Sequence, residues 1–231
     1  MNSKPRQSNY CRMVALSLAI FTCFGCSKTP VERKTVSPDD IIVDKKELSI
    51  ERGGFVERRN RISNHAITEW MFHCYPSFTF EKEVSAGYPR TKVSITISKI
   101  KLTISCPVAM RTGGNSSQNL IEHEEGHFSL VKRVYERADE EARAACQKLI
   151  GEKFQGEGES EDDAINAATD KASRRLCALY TARTVAFANE LSENFDQITE
   201  HGASQKPVPQ ALAETWAKFK KAHPEDATLA P

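Results

Sequence analysis

A chain of 231 residues with 27% charged and 39% apolar side chains has the profile of one folded domain with tails. Its net charge of +1 owes its sign to Lys4, Arg6 and Arg12, in an N-terminal stretch that holds no acidic residue. The remainder is mildly acidic, so the basic field that nucleic-acid binding needs is missing, and that class is excluded.

The N-terminus reads as an export signal: a basic segment, MNSKPRQSNYCR, precedes an apolar run from Met13 to Gly25 that is short for a bilayer span. Cys26 follows Gly25 at the end of that run. The arrangement resembles a bacterial lipoprotein signal, which implies that residues 1–26 are a signal, that Cys26 is lipidated and that Ser27 directs the protein to the outer membrane. A periplasmic or outer-membrane lipoprotein is therefore expected, with plain secretion as the alternative. Residues 27–47 are polar, contain Pro30 and Pro38, and read as a flexible tether.

A β-rich part is expected from Leu48 to Val108. In Lys92–Val108, Val93, Ile95 and Ile97 alternate with polar residues, and Ile100, Leu102 and Ile104 continue one step out of phase. That is a half-buried strand with a bulge or bend near Lys99. Gly113 and Gly114 break the chain, Asn115 or Ser116 can cap a helix, and one long helix is expected over 117–149. Gly151–Asp163 reads as an acidic loop, 162–193 as a second, alanine-rich helix, 194–199 as a short segment, and 205–231 as a mobile or loosely docked tail with a weak amphipathic helix. The expected fold is α+β: an antiparallel β-rich N-terminal part packed on two long C-terminal helices, with the domain proper spanning 48–204. In an exported chain Cys74, Cys106, Cys146 and Cys177 suggest disulfides; the expected pairs are Cys74–Cys106 between strands and Cys146–Cys177 between helices.

The chemistry concentrates in His123-Glu124-Glu125-Gly126-His127 on the first expected helix. Positions i and i+4 share a helix face, so both imidazoles can reach one ion about 2.0–2.1 Å away. Glu124, about 100° round the helix, can instead reach water at that ion and act as general base. Gly126 costs about 1 kcal/mol relative to alanine, which suggests that something packs close against it. A third ligand is needed. Arg133 occupies the position where a metzincin carries its third histidine, and the residues alone leave Glu190, Glu193 and His201 open.

His123–Phe128, HEEGHF, resembles the H-E-x-G-H-F of a bacterial family of predicted secreted zinc-dependent proteases, a domain of unknown function. Phe195–Gly202, FDQITEHG, resembles that family's late Y-D-x-x-T-x-H-G segment, with Phe195 in place of the tyrosine. The resemblance spans roughly Thr68 to Gln205 and implies His123 and His127 as Zn2+ ligands, Glu124 as catalytic base and His201 as the favoured third ligand. The expected function is a zinc metallopeptidase of the cell envelope acting on a peptide or protein, with the membrane as a second partner through the lipid anchor. Tyr135, Tyr180 and His73 are the candidates for stabilising an oxyanion. The rival readings are a metal-binding or scaffolding lipoprotein without turnover, and a structural domain in which the histidines are solvated helix residues.

Overall fold

The computed structural model describes residues 36–54, 66–85, 87 and 89–229; the expected signal with Cys26 lies outside them. The described chain is mixed α+β, with seven strands in two sheets and four α-helices. The strand read most clearly from the sequence organises the larger sheet. It is β5 (Thr91–Ser105), and its partners are β1 (Ile41–Lys45), parallel, and β4 (His73–Ser85) and β7 (Lys153–Gly158), both antiparallel. β4 takes one edge of β5 along almost its whole length, so β1 and β7 share the other. The phase change is a bulge: Thr79 pairs with Lys99 but Phe80 pairs with Ile97, leaving Ser98 over. The extra residue returns Ile100, Leu102 and Ile104 to the face that already holds Val93, Ile95 and Ile97, and all six are at most 2% exposed.

The chain of β5 runs through Cys106 into β6 (Pro107–Thr112), the middle strand of the smaller sheet. β6 pairs with β2 (Ser49–Gly54) in parallel and with β3 (Ala66–Trp70) antiparallel, so β3 is an edge strand. The sheets are thus mixed rather than purely antiparallel, because residues 41–54 run alongside 100–112 in the same direction. Part of the expected tether is accordingly the strand β1.

The first expected helix is two helices, α1 (Gln118–Glu136) and α2 (Ala138–Leu149), divided at Arg137, whose φ of −103° and ψ of 6° leave the helical region. Lys45 of β1 satisfies the break: its Nζ lies 2.6 Å from the Glu136 carbonyl and 3.0 Å from Asp139 Oδ1. The expected acidic loop contains β7. Its Gly156 is a close-approach glycine, since a Cβ there would lie 1.9 Å from the Ala164 carbonyl oxygen.

That carbonyl belongs to α3 (Glu161–Thr199), which packs on the sheet through Ala164, Ala168, Ala172, Leu176 and Tyr180, each fully buried. Part of the expected mobile tail is a packed helix, α4 (Val208–Ala222), with Ala211, Thr215, Trp216 and Phe219 buried. None of the helices among the described residues is long and apolar enough to cross a membrane.

The expected disulfide pairs are corrected. Cys74 of β4 bonds Cys177 of α3, and Cys106 and Cys146 are free and buried. The β4–β5 register sets Ile104, not Cys106, opposite Cys74. Cys177 lies across β4 with its Cα 5.6 Å from that of Cys74, within ordinary bridging distance.

Candidate metal centre

α1 is capped by Ser117, one residue beyond the expected caps, whose hydroxyl accepts from the Leu120 amide at 3.3 Å. From there the helical period turns His123, Glu124 and His127 inward; they are 4%, 5% and 6% exposed. β3 lies over this face, and Thr68 Oγ1 donates to the Glu124 carbonyl at 3.2 Å. α3 passes on the other side, close enough that a Cβ on Gly126 would lie 2.4 Å from Cζ of Phe195. The glycine in the motif is there because this ring packs on it. Phe195 in turn stacks on His123, with centroids 5.0 Å apart and 12° between planes, and meets His127 edge-on at 5.2 Å. Trp70 stacks on His127 from the β3 side at 6.4 Å.

The packing aims both Nε2 atoms at one point. They lie 3.0 Å apart, and each is 3.1 Å from Oδ1 of Asp196. Three donor atoms thus form a nearly equilateral triangle. A tetrahedral ion bound at about 2.0–2.1 Å sets its ligand atoms about 3.3 Å apart, so the residues fit a small divalent cation with little adjustment. Two imidazoles and one carboxylate suit zinc, and the same set suits iron(II). Burial pushes the Asp196 carboxyl up, but the His123 and His127 imidazoles beside its Oδ1 outweigh that effect and hold it well below the usual carboxylate range. The outer nitrogens are also held: Nδ1 of His127 lies 3.0 Å from Ser192 Oγ, and Nδ1 of His123 lies 3.1 Å from Thr199 Oγ1. Both hydroxyls, like Asp196, come from α3.

The centre forms the floor of a cavity of about 380 Å³ whose rim includes Ala66, Ile67, Thr68 and Trp70 of β3. Glu124 lines it too, and its carboxylate takes no hydrogen bond from any described residue.

Of the residues singled out in the sequence, the structure brings His123, His127 and Glu124 together and adds Asp196 to them. His201 stands at the rim, 82% exposed, its Nδ1 3.6 Å from Asp196 Oδ1, and the three atoms that converge do not include one of its own. Glu190 pairs with His223 at 2.8 Å, and Glu193 is exposed on α3 beside Gln197. None of the oxyanion candidates lines the cavity. Tyr135 donates to the Lys46 carbonyl at 2.7 Å, Tyr180 is fully buried in the core, and His73 stacks on Tyr75. Asp196 is the residue that sequence reasoning passed over. Its signal was present, a carboxylate four residues after Ser192 and three before Thr199 on one helical face, but α3 was expected to stop at Glu193. No family model, no curated protein and no solved structure matches the chain.

Proposed function

We propose that this chain is a zinc-dependent hydrolase of the bacterial envelope, and that it cleaves peptides. The reading rests on one observation: Nε2 of His123, Nε2 of His127 and Oδ1 of Asp196 converge within 3.1 Å of one another, in a cavity that Glu124 also lines. A zinc ion held by those three groups would supply Lewis acidity to a water and to a substrate carbonyl. Glu124 would then take the proton from the attacking water and return it to the leaving amine. The edge of β3 that no described strand pairs offers backbone groups to an extended peptide along the cavity, and Trp70 and Ile67 offer apolar surface. Export, lipidation at Cys26 and membership of the secreted-protease family that HEEGHF resembles are parts of the same proposal and rest on the sequence.

Metal analysis of the purified chain together with a peptide-cleavage assay tests this. Zinc should be bound in stoichiometric amount, Asp196→Ala should lose it, and Glu124→Gln should keep it while hydrolysis stops. Zinc with no turnover on a broad peptide panel favours a metal-holding scaffold, and iron in place of zinc redirects the reading to oxygen chemistry. Full activity in Glu124→Gln removes that carboxylate from the mechanism.

A further inference from the structure

We infer that Thr199 is a positioning residue that fixes which nitrogen of His123 faces the metal. The inference rests on the metal reading above, but its central observable does not need a metal. Thr199 is 3% exposed and is the last residue of α3. Its Oγ1 lies 2.7 Å from the Phe195 carbonyl oxygen and 3.1 Å from Nδ1 of His123. A carbonyl oxygen has no proton to give, so the short contact to Phe195 uses the single proton of the threonine hydroxyl. A second carbonyl, that of Asp196 at 3.4 Å, competes for the same proton and cannot supply another. Toward His123 the hydroxyl oxygen can therefore only accept, and Nδ1 must carry a hydrogen. The opposite assignment, with the hydroxyl donating to Nδ1, would press two oxygens together at 2.7 Å with no hydrogen between them.

The consequence reaches the centre. With its proton held at Nδ1, the neutral ring of His123 presents a bare lone pair at Nε2, directed toward Asp196 and His127. Nε2 of His123 and Oδ1 of Asp196 then both meet Nε2 of His127 at 3.0–3.1 Å as acceptors, an arrangement satisfied by a hydrogen on Nε2 of His127 or by a cation among the three atoms. The ring has little freedom to escape. Phe195 covers its face, and Gly202 lies against its root, where a Cβ would sit 3.2 Å from both Cβ and Cγ of His123. Phe195 thus holds His123 twice, by its ring and through the carbonyl that orients Thr199. His127 is held differently. Ser192 Oγ has Nδ1 of His127 as its hydrogen-bond partner and makes no bond to a carbonyl among the described residues, so its proton is free and it can donate or accept. The two histidines are unequal: His123 is locked in one tautomer by α3, and His127 adapts.

Nitrogen-15 spectra of the histidine rings test the inference, with zinc affinity measured by chelator competition. In the wild-type protein, metal-free and zinc-loaded, Nδ1 of His123 should be protonated, and its hydrogen should exchange slowly with solvent. Thr199→Val keeps the shape and removes the acceptor; zinc affinity should fall by about 10–100-fold. Thr199→Ser should restore most of it, and Ser192→Ala should cost less than Thr199→Val. An unprotonated Nδ1 at His123 in the wild-type protein overturns the inference, and that measurement needs no variant to fold. A valine variant that binds zinc as the wild type does also overturns it. If the wild-type protein binds no zinc while Nδ1 of His123 is protonated, the tautomer assignment stands and the metal reading falls.

Discussion

The helix glycine between His123 and His127 offers the sharpest test of the packing, because two opposing effects can be weighed. Replacing an exposed helical glycine with alanine stabilises by about 1 kcal/mol. At Gly126 the new Cβ would lie 2.4 Å from Cζ and 2.7 Å from Cε1 of Phe195, well inside contact distance. The ring is fully buried, with His123 stacked on its face and His127 set perpendicular to it, so it cannot swing aside without moving an imidazole. Overpacking of this kind costs about 1–3 kcal/mol, and a ring confined by both histidines puts the cost near the top of that range. The net expectation for Gly126→Ala is a loss of about 1–2 kcal/mol, or about 2–8 °C in the melting temperature of the metal-free protein. On the proposed metal reading zinc affinity should fall as well, because the displaced ring disturbs His123. Phe195→Leu in the Gly126→Ala background should recover part of both losses, and the four melting curves of the double-mutant cycle measure the coupling. A Gly126→Ala protein that melts a few degrees higher than wild type and holds zinc equally well would refute the proposition that Phe195 is what the glycine admits.

Two further outcomes follow from the cysteines. Peptide mapping without reduction should recover Cys74 linked to Cys177, with Cys106 and Cys146 as thiols, and reduction should cost about 2–5 kcal/mol because the bond closes a loop spanning 103 residues. Burial pushes the thiols of Cys106 and Cys146 up to about 12 from 9.0, and the Tyr135 phenol up to about 12 from 10.0. Folded values above unfolded ones mean that this contribution is intact below pH 9 and is lost as pH rises toward 12. Urea midpoints should therefore decline between about pH 9 and 12, and both thiols should resist aromatic disulfide reagents at pH 8 until the chain unfolds. Rapid labelling of either thiol in the native protein would contradict its place in the core.

What could be read from the chain was what is encoded locally. The out-of-phase isoleucines around Lys99 carry their own period, so strand and bulge were both legible. The pair His123 and His127 needs only helical spacing to share a face. Features fixed by distant partners were not legible. Nothing at Arg137 breaks a helix by itself; α1 stops where Lys45, some ninety residues away, meets the Glu136 carbonyl. Gly156 and Gly158 made β7 look like a loop, whereas both positions lie against α3, where a Cβ would collide with Ala164 or Asp163. The end of α3 was hidden for a related reason. No glycine or proline stands at residues 194–199, and the helix ends at Thr199 only because Glu200 and His201 adopt a left-handed turn that few side chains favour. Stopping the helix at Glu193 left Asp196 out of register with Ser192, and the carboxylate beside the two histidines went unseen.

That turn gives His201 its own test. Glu200, His201 and Gly202 have φ of 51°, 54° and 80°, all left-handed, and only the glycine adopts that conformation without strain. The turn is held by the Asp196 carbonyl, which accepts from the His201 amide at 2.9 Å, and by the Thr199 carbonyl, which accepts from Ser204 at the same distance. Relief of left-handed strain is worth about 1–2 kcal/mol per residue, and glycine's extra chain entropy returns about 0.5–1 kcal/mol of it. His201→Gly should therefore raise the stability of the metal-free protein slightly, by about 0–1.5 kcal/mol on those figures. With Asp196 as the third donor, zinc affinity should stay near the wild-type value in this variant, because the removed ring lies outside the triangle. Turnover that falls while affinity holds would assign His201 to the substrate, since its ring lines the same cavity. Zinc lost from His201→Gly but retained in Asp196→Ala would reverse the assignment: the imidazole would be the ligand, swung in from the rim, and the carboxylate only its neighbour.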